Sequence, residues 1–220
     1  MSGPQPPFLV VIAGSNGAGK STWTAAGRVP AGIPVLDPDE LARALRPDAP
    51  HLAAVQAGRE ALRLQRAYLA ERRSFAVETT LSGSSVLRLM VEARNQGFGV
   101  ELLYVGVEDV RIALRRIAMR VARGGHDIPA ADVRRRYGRS LGHLRAAIAQ
   151  SDRVRLIDNT AEGAPHEVLV IEAGQIRVRV TELPGWVRAA LGPLADLHAT
   201  KWPTSPEHMS REQHDQEEKA

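Results

Sequence analysis

The chain has 220 residues, 44% hydrophobic and 25% charged, which suits one compact domain with a buried core and leaves too little for two full-sized ones. Cysteine is absent, which excludes disulfides, thiolate metal sites and thiol catalysis; no apolar run reaches bilayer length and the lead MSGPQPP lacks the pattern of a secretion signal, so a cytoplasmic protein with no membrane partner is expected. The net charge of +4 raises nucleic acid as a partner, but the excess is small and comes from arginine, lysine occurring only at Lys20, Lys201 and Lys219, as an arginine-favouring genome would also produce.

FLVVIAG, from Phe8, is short, apolar and β-branched, the pattern of a strand buried on both faces, and a helix follows from Lys20 until Gly27 and Pro30. IPVLDPDE predicts a second strand ending in acids, and ELARAL a helix that Pro47 interrupts. Helical spacing runs from Leu52 to Arg73, SFAVETT predicts a third strand, SSVLRLMVEARNQGF a helix stopped at Gly97, and GVELLYVGV a fourth strand. Asp109 is placed to cap a helix running to Gly124 and Gly125; a further helix starts after Pro129, and RVRLID is a fifth strand. This alternation predicts βαβ units and a parallel sheet covered on both faces. Beyond Thr160, HEVLVIEAGQIRVRVTEL reads as a hairpin around AGQ and PGWVRAALGPL as a short helix. The polar stretch from about Thr200 is expected to be disordered. The expected organisation is a core over residues 1–160, a hairpin and helix over 161–199, and a tail over 200–220.

GSNGAGKS, Gly14 to Ser21, has the spacing of a phosphate loop and lies between a predicted strand and a predicted helix. Glycines at 14, 17 and 19 let successive N–H groups of the loop from Gly14 through Ser15, Asn16, Gly17, Ala18 and Gly19 turn toward phosphate oxygens, and the helix starting at Lys20, Ser21 and Thr22 adds its positive end. Lys20 would reach the outer phosphates and the Ser21 hydroxyl would ligate Mg²⁺, so ATP or GTP is the expected ligand.

LSGSS, from Leu81, resembles the signature loop of transporter ATPases, but it follows a strand, and the acids after YVGV come in the order Glu108 then Asp109; no guanine-reading Asn-Lys-x-Asp is present. A kinase needs a base and cations near the transferred phosphoryl group. Asp37, Asp39 and Glu40 are expected at the carboxyl edge of the sheet, where ligands bind; an Asp there would accept a hydroxyl proton, hold a metal's waters or cap the next helix. Glu78 ends an apolar strand at the same edge and is expected to face the cleft, because burying an unpaired carboxylate is costly, with helix capping as the alternative. In the arginine-rich stretch from Arg111 to Arg145, Arg111, Arg115 and Arg116 read as solvated face, whereas Arg120 and Arg123 precede the break GGHDIP and suit a lid over the γ-phosphate, with His126 as another lid candidate.

Together GSNGAGKST, VLDPDEL, SFAVETTLSG, RVARGGHDIP, RRRYGRSL and LIDNT resemble the short form of the zeta toxin family of phosphate-loop kinases, over roughly Phe8 to Thr160. The resemblance implies ATP-dependent phosphorylation of UDP-N-acetylglucosamine or a related nucleotide sugar, Mg²⁺ as cofactor, and a cognate antitoxin as partner. It makes Lys20 the phosphate lysine, Asp39 the general base, Glu78 and Thr80 substrate contacts, and Arg120 the arginine on the transferring phosphate. Ser82 stands where the longer toxins carry an arginine, and Arg123, His126 or Arg136 would substitute for their second lid arginine. The expected fold is therefore a three-layer α/β phosphate-loop kinase with a five-stranded parallel sheet, plus a small C-terminal β-hairpin and helix. The competing readings are a nucleic-acid-associated NTPase, a kinase of another small metabolite, and a nucleotide binder without chemistry.

Overall fold

The computed structural model describes residues 6–25, 27, 32–125, 127–161 and 163–196. The elements run β1 (Phe8–Ala13), α1 (Lys20–Ala25), β2 (Val35–Leu36), α2 (Pro38–Leu45), α3 (Pro50–Ala70), β3 (Phe75–Thr79), α4 (Ser85–Asn95) and β4 (Gly99–Gly106). They continue with α5 (Val110–Val121), α6 (Ala130–Ala149), β5 (Arg153–Asp158), β6 (His166–Glu172), β7 (Gln175–Arg179), α7 (Gly185–Leu191) and a 3-10 turn (Gly192–Asp196).

Burial on both faces makes β1 a central strand. Leu9, Val11 and Ala13 join the larger apolar cluster with Phe75, Leu102, Tyr104 and Leu156, which α4, α6 and α7 cover. Val10 and Ile12 join the other with Leu103, Val105 and Ile157, against Trp23 of α1. Helices therefore lie on both faces of the sheet, as fully apolar strands require. The sheet order is β2-β3-β1-β4-β5-β6-β7; β2, β3, β1, β4 and β5 are parallel. From β1 the chain moves outward to β2, returns to β3, then crosses β1 to reach β4. That reversal opens a crevice at the carboxyl ends of β1, β3 and β4, the place where open α/β sheets bind ligands.

Three expectations are corrected. The acids of DPDE are not on a strand: β2 is two residues long, Pro38 starts α2, and Asp37 caps it by accepting from the Asp39 N–H at 2.9 Å. Proline is preorganised for the first helical position, so the sequence turns helical two residues sooner. The helix capped by Asp109 ends at Val121, short of Gly124. Finally, the five-stranded sheet with a separate hairpin is replaced by one seven-stranded sheet, because β6 pairs antiparallel with β5 along Arg153–Asp158 and β7 pairs with β6. The expected tail over 200–220 lies outside the described residues.

The C-terminal elements share the core. Trp186 of α7 is 2% exposed and lies on Gly106, where an added Cβ would come within 2.5 Å of the indole. Its Nε1 donates to the buried Asp158 Oδ1 at 2.7 Å, and Thr160 Oγ1 donates to the same oxygen at 2.7 Å. Replacing Trp186 with Ala removes a large core side chain and one donor to a buried carboxylate. It should lower unfolding stability by about 3–5 kcal/mol in urea titration; a loss below about 1 kcal/mol would mean that α7 is not part of the cooperative core.

Candidate active site

The phosphate loop is shaped by close approach to three elements. Gly14 (φ +140°), Gly17 (φ +76°) and Gly19 (φ +103°) occupy backbone regions that side chains rarely adopt. An added Cβ would collide with the Val105 carbonyl at Gly14, the Ala113 carbonyl at Gly17 and the Asn159 amide at Gly19. Asn159 Nδ2 also donates to the Ala18 carbonyl at 2.7 Å, tying the loop to the end of β5. The amides therefore have the fixed, concave setting that an anion needs.

Lys20 is buried, and its Nζ donates to the carbonyls of Gly14 at 2.9 Å and Ser15 at 3.2 Å, with Glu78 Oε1 at 3.9 Å. Burial lowers its pKa, opposed by the charges of Glu78, Asp37 and Asp39. The Glu78 carboxyl is raised chiefly by burial, against the pull of Lys20, and accepts from the Ser21 hydroxyl at 3.3 Å. Burial likewise raises Asp37, opposed by its bond from the Asp39 N–H. Capping thus engages Asp37, while Asp39, the second residue of α2, lines both cavities of the crevice.

Two adjoining cavities share Asn16, Lys20, Asp37, Asp39 and Glu78 as walls. One, of about 410 Å³, is lined also by Gly17, Gly19, Ser21, Thr22, Arg43, Arg116 and Arg120. The other, of about 300 Å³, adds Pro38, Thr79, Thr80, Ser82 and Arg136. The structure so brings Lys20, Ser21, Thr22, Asp39, Glu78, Thr80, Arg120 and Arg136 around one crevice. Ser15 and Ala18 are buried within the loop. Arg136 Nη1 donates to Asn16 Oδ1 at 3.2 Å, and Thr80 Oγ1 is 2.8 Å from Ser82 Oγ. Gly125 passes against the stem of Arg120 and donates its N–H to the Arg120 carbonyl at 3.0 Å. Arg123 is exposed and lines neither cavity; His126 lies outside the described residues.

Residues 9–140 match a family described as an AAA domain. The chain belongs to that family. An uncharacterized protein of Haemophilus influenzae is 39% identical to this AAA domain protein over 128 residues, 58% of this chain and 91% of that one. Among solved structures, a chain of the native AvrRxo1-ORF1:AvrRxo1-ORF2 complex superposes with a TM-score of 0.68 at 19% identity, covering 87% of this chain and 66% of that one. The same complex crystallised with ATP gives 0.65 at 18%, covering 78% and 60%. A structure from the PezAT chromosomal toxin–antitoxin system of Streptococcus pneumoniae gives 0.52 at 16%, covering 72% and 70%. This chain thus spans less than two thirds of the AvrRxo1 chains, and at these identities the likeness is one of fold alone.

Sequence reasoning missed Arg116, Asn159 and Asn16's bond to Arg136. Arg116, expected to be solvated, has a buried Nη1 with no hydrogen-bond partner among the described residues and lines the phosphate-side cavity. Its spacing of four from Arg120, one helical turn, was the signal available. Nothing local announces Asn159, whose contact spans 141 residues of sequence.

A buried carboxyl with a raised pKa binds its proton more tightly in the folded state than in the unfolded one. Glu78 therefore favours the fold most below its ordinary value of 4.5, and this contribution is lost as pH rises from there toward the raised value. In urea titrations across acid to neutral pH, Glu78→Gln should gain stability relative to the parent as pH rises above 4.5. A difference that stays constant with pH would contradict the raised carboxyl.

Proposed function

We propose that this protein is an ATP-dependent kinase that phosphorylates a hydroxyl of a small acceptor, with a nucleotide sugar such as UDP-N-acetylglucosamine as the acceptor class. The observation that carries the reading is that Asp39 and Lys20 wall both adjoining cavities, one floored by the phosphate loop and the other by Glu78, Thr80 and Arg136. A hydroxyl in the second cavity then faces a phosphoryl group held in the first.

In this reading Asp39 takes the acceptor's proton as the hydroxyl oxygen forms its bond to the γ-phosphorus, and the bond from that phosphorus to the bridging oxygen breaks to release ADP. The loop amides and Lys20 hold the phosphates, and Arg120 meets charge that develops only during transfer. Glu78 and Thr80 orient the acceptor, and Arg136 supplies a cation on its side, in place of Arg123 or the His126 segment. The hydroxyl of Ser21 and the neighbouring carboxylates are hard oxygen donors suited to Mg²⁺, which neutralises phosphate charge when bound. Among the described residues no three His, Asp or Glu side chains gather into a cage. Mg²⁺ needs none, since one or two protein oxygens, phosphates and water suffice.

A cytoplasmic setting, where ATP and nucleotide sugars are plentiful, belongs to the same reading; among the described residues no helix is long and apolar enough to cross a membrane. So does a cognate antitoxin, with the fold likeness to a chain from the PezAT toxin–antitoxin system as its support.

Mass spectrometry of ATP reactions with a panel of nucleotide sugars, free sugars and nucleosides should reveal a phosphorylated product. Asp39→Asn should retain ATP binding while kcat falls by about 10²–10⁴. Transfer by that variant at the parent rate would sink the assignment of the base, and absence of any ATP binding by the parent would sink the kinase reading.

A further inference from the structure

A third cavity, of about 410 Å³, opens beside the acceptor side of the crevice, between α3, α4 and the end of β3. Its walls are of a different character. Val55, Gly58, Ala61 and Leu62 of α3 face Val77 of β3 and Val86 and Leu89 of α4, with Arg59, Gln65 and Ser85 among its polar lining. It meets the acid-lined acceptor cavity at Pro38, Glu78 and Thr79, which line both.

Two features of α3 are unexplained by folding alone. The first is exposure: Val55 is 70% and Leu62 46% exposed, although both line a concave apolar surface and Ala53, Ala57 and Ala61 already serve as the helix's buried stripe. Seven residues apart, they stand two turns from each other on one face. The second is Gly58 between them. A glycine inside a helix costs about 0.8–1 kcal/mol relative to alanine. No close approach demands it, since an added Cβ would meet nothing within 4 Å, and its φ is not in the positive range. Gly58 lines the cavity, so a side chain there would add bulk to its wall.

We propose that this cavity receives a compact apolar group, an aromatic or cyclic hydrocarbon ring, carried by the same acceptor whose hydroxyl is presented to Asp39. The inference rests on the kinase reading for the word acceptor. The cavity itself stands on the geometry. Continuity through Glu78 and Thr79 selects this occupant over an unrelated partner, because a molecule lying in the acceptor cavity has its next atoms at this opening. The planar guanidinium of Arg59 is suited to lie on the face of such a ring. The acceptor is therefore amphiphilic: its polar end is bonded by Glu78, Thr80 and Arg136, and its ring is sheltered by valine and leucine. Within a panel of nucleotide sugars or other alcohols, those bearing an uncharged ring at this distance from the reacting hydroxyl are selected.

The test uses 2-phenylethanol and glycerol as probes, with methyl NMR on the full chain. 2-Phenylethanol should produce saturable shifts in the methyls of Val55 and Leu62, and glycerol should not. Gly58→Leu, whose Cβ would stand in open space at the cavity wall, should weaken 2-phenylethanol at least tenfold while leaving ATP binding unchanged; Gly58→Ala should weaken it less. Absence of saturable shifts, equal shifts with glycerol, or undiminished binding in Gly58→Leu would overturn the proposal. So would a dimer in light scattering that Gly58→Leu dissociates, since the cavity would then belong to a second copy. Failure of the kinase reading shows separately, as loss of ATP binding or transfer by the parent chain, and leaves the probe's methyl shifts in place.

Discussion

The site depends on a loop that cannot carry side chains at three positions. Gly14, Gly17 and Gly19 bring the phosphate-loop backbone into contact with the end of β4, the first turns of α5 and the end of β5. The loop is thus held by the rigid framework and does not rely on its own short sequence. Fixed amides need no reorganisation when an anion arrives, which is the condition under which backbone dipoles stabilise charge most strongly. The same contacts set where everything else can stand. Lys20 begins α1 immediately after the loop and is buried over it, and the crevice at the sheet's reversal point opens in front.

Around that loop the charges are balanced under burial. Lys20 loses hydration but gains two backbone carbonyls and the field of Glu78, Asp37 and Asp39. Glu78 and Asp37 both resist ionisation because they too are partly buried. Replacing one member therefore exposes the others to an uncompensated environment, and the cluster behaves as a unit. Asp39 differs: it is exposed on α2, and the capping bond runs to Asp37. Two acids separated by one proline thereby stand differently, Asp37 bonded as the cap of α2 and Asp39 exposed at the wall of the crevice.

The central strands were legible because residues buried on both faces form unbroken apolar runs: LVVIA, FAV and LLYV are interior. The phosphate loop was legible from spacing alone. β2 was legible but its end was not, since only Val35 and Leu36 pair with β3 and the following proline favours a helical start. The joining of β6 to the main sheet was also missed, because alternation predicts a hairpin without saying what it pairs with. VLVI, Val168 to Ile171, is nevertheless buried throughout, and such a run was a sign of an interior strand. In the site, residues local to a motif were found, whereas Asn159 and the Asn16–Arg136 bond arise only when distant segments meet. Arg116 failed for another reason: a run of arginines conceals which of them face inward.

The cavity lined by Thr80 and Ser82 draws its cation from a helix. Ser82 occupies the loop position where the resemblance leads one to expect an arginine, and Arg136 lines the same cavity from the twenty-residue helix α6. A guanidinium on a long helix is more firmly oriented than one on a loop. Bonded to Asn16, it also joins this cavity to the phosphate loop. A guanidinium carries five N–H donors, so Arg136 keeps its bond to Asn16 and still has donors for an anionic group in the cavity. One hydrogen bond, from Arg136 on α6 to Asn16 in the loop, therefore ties the wall of this cavity to the phosphate cradle.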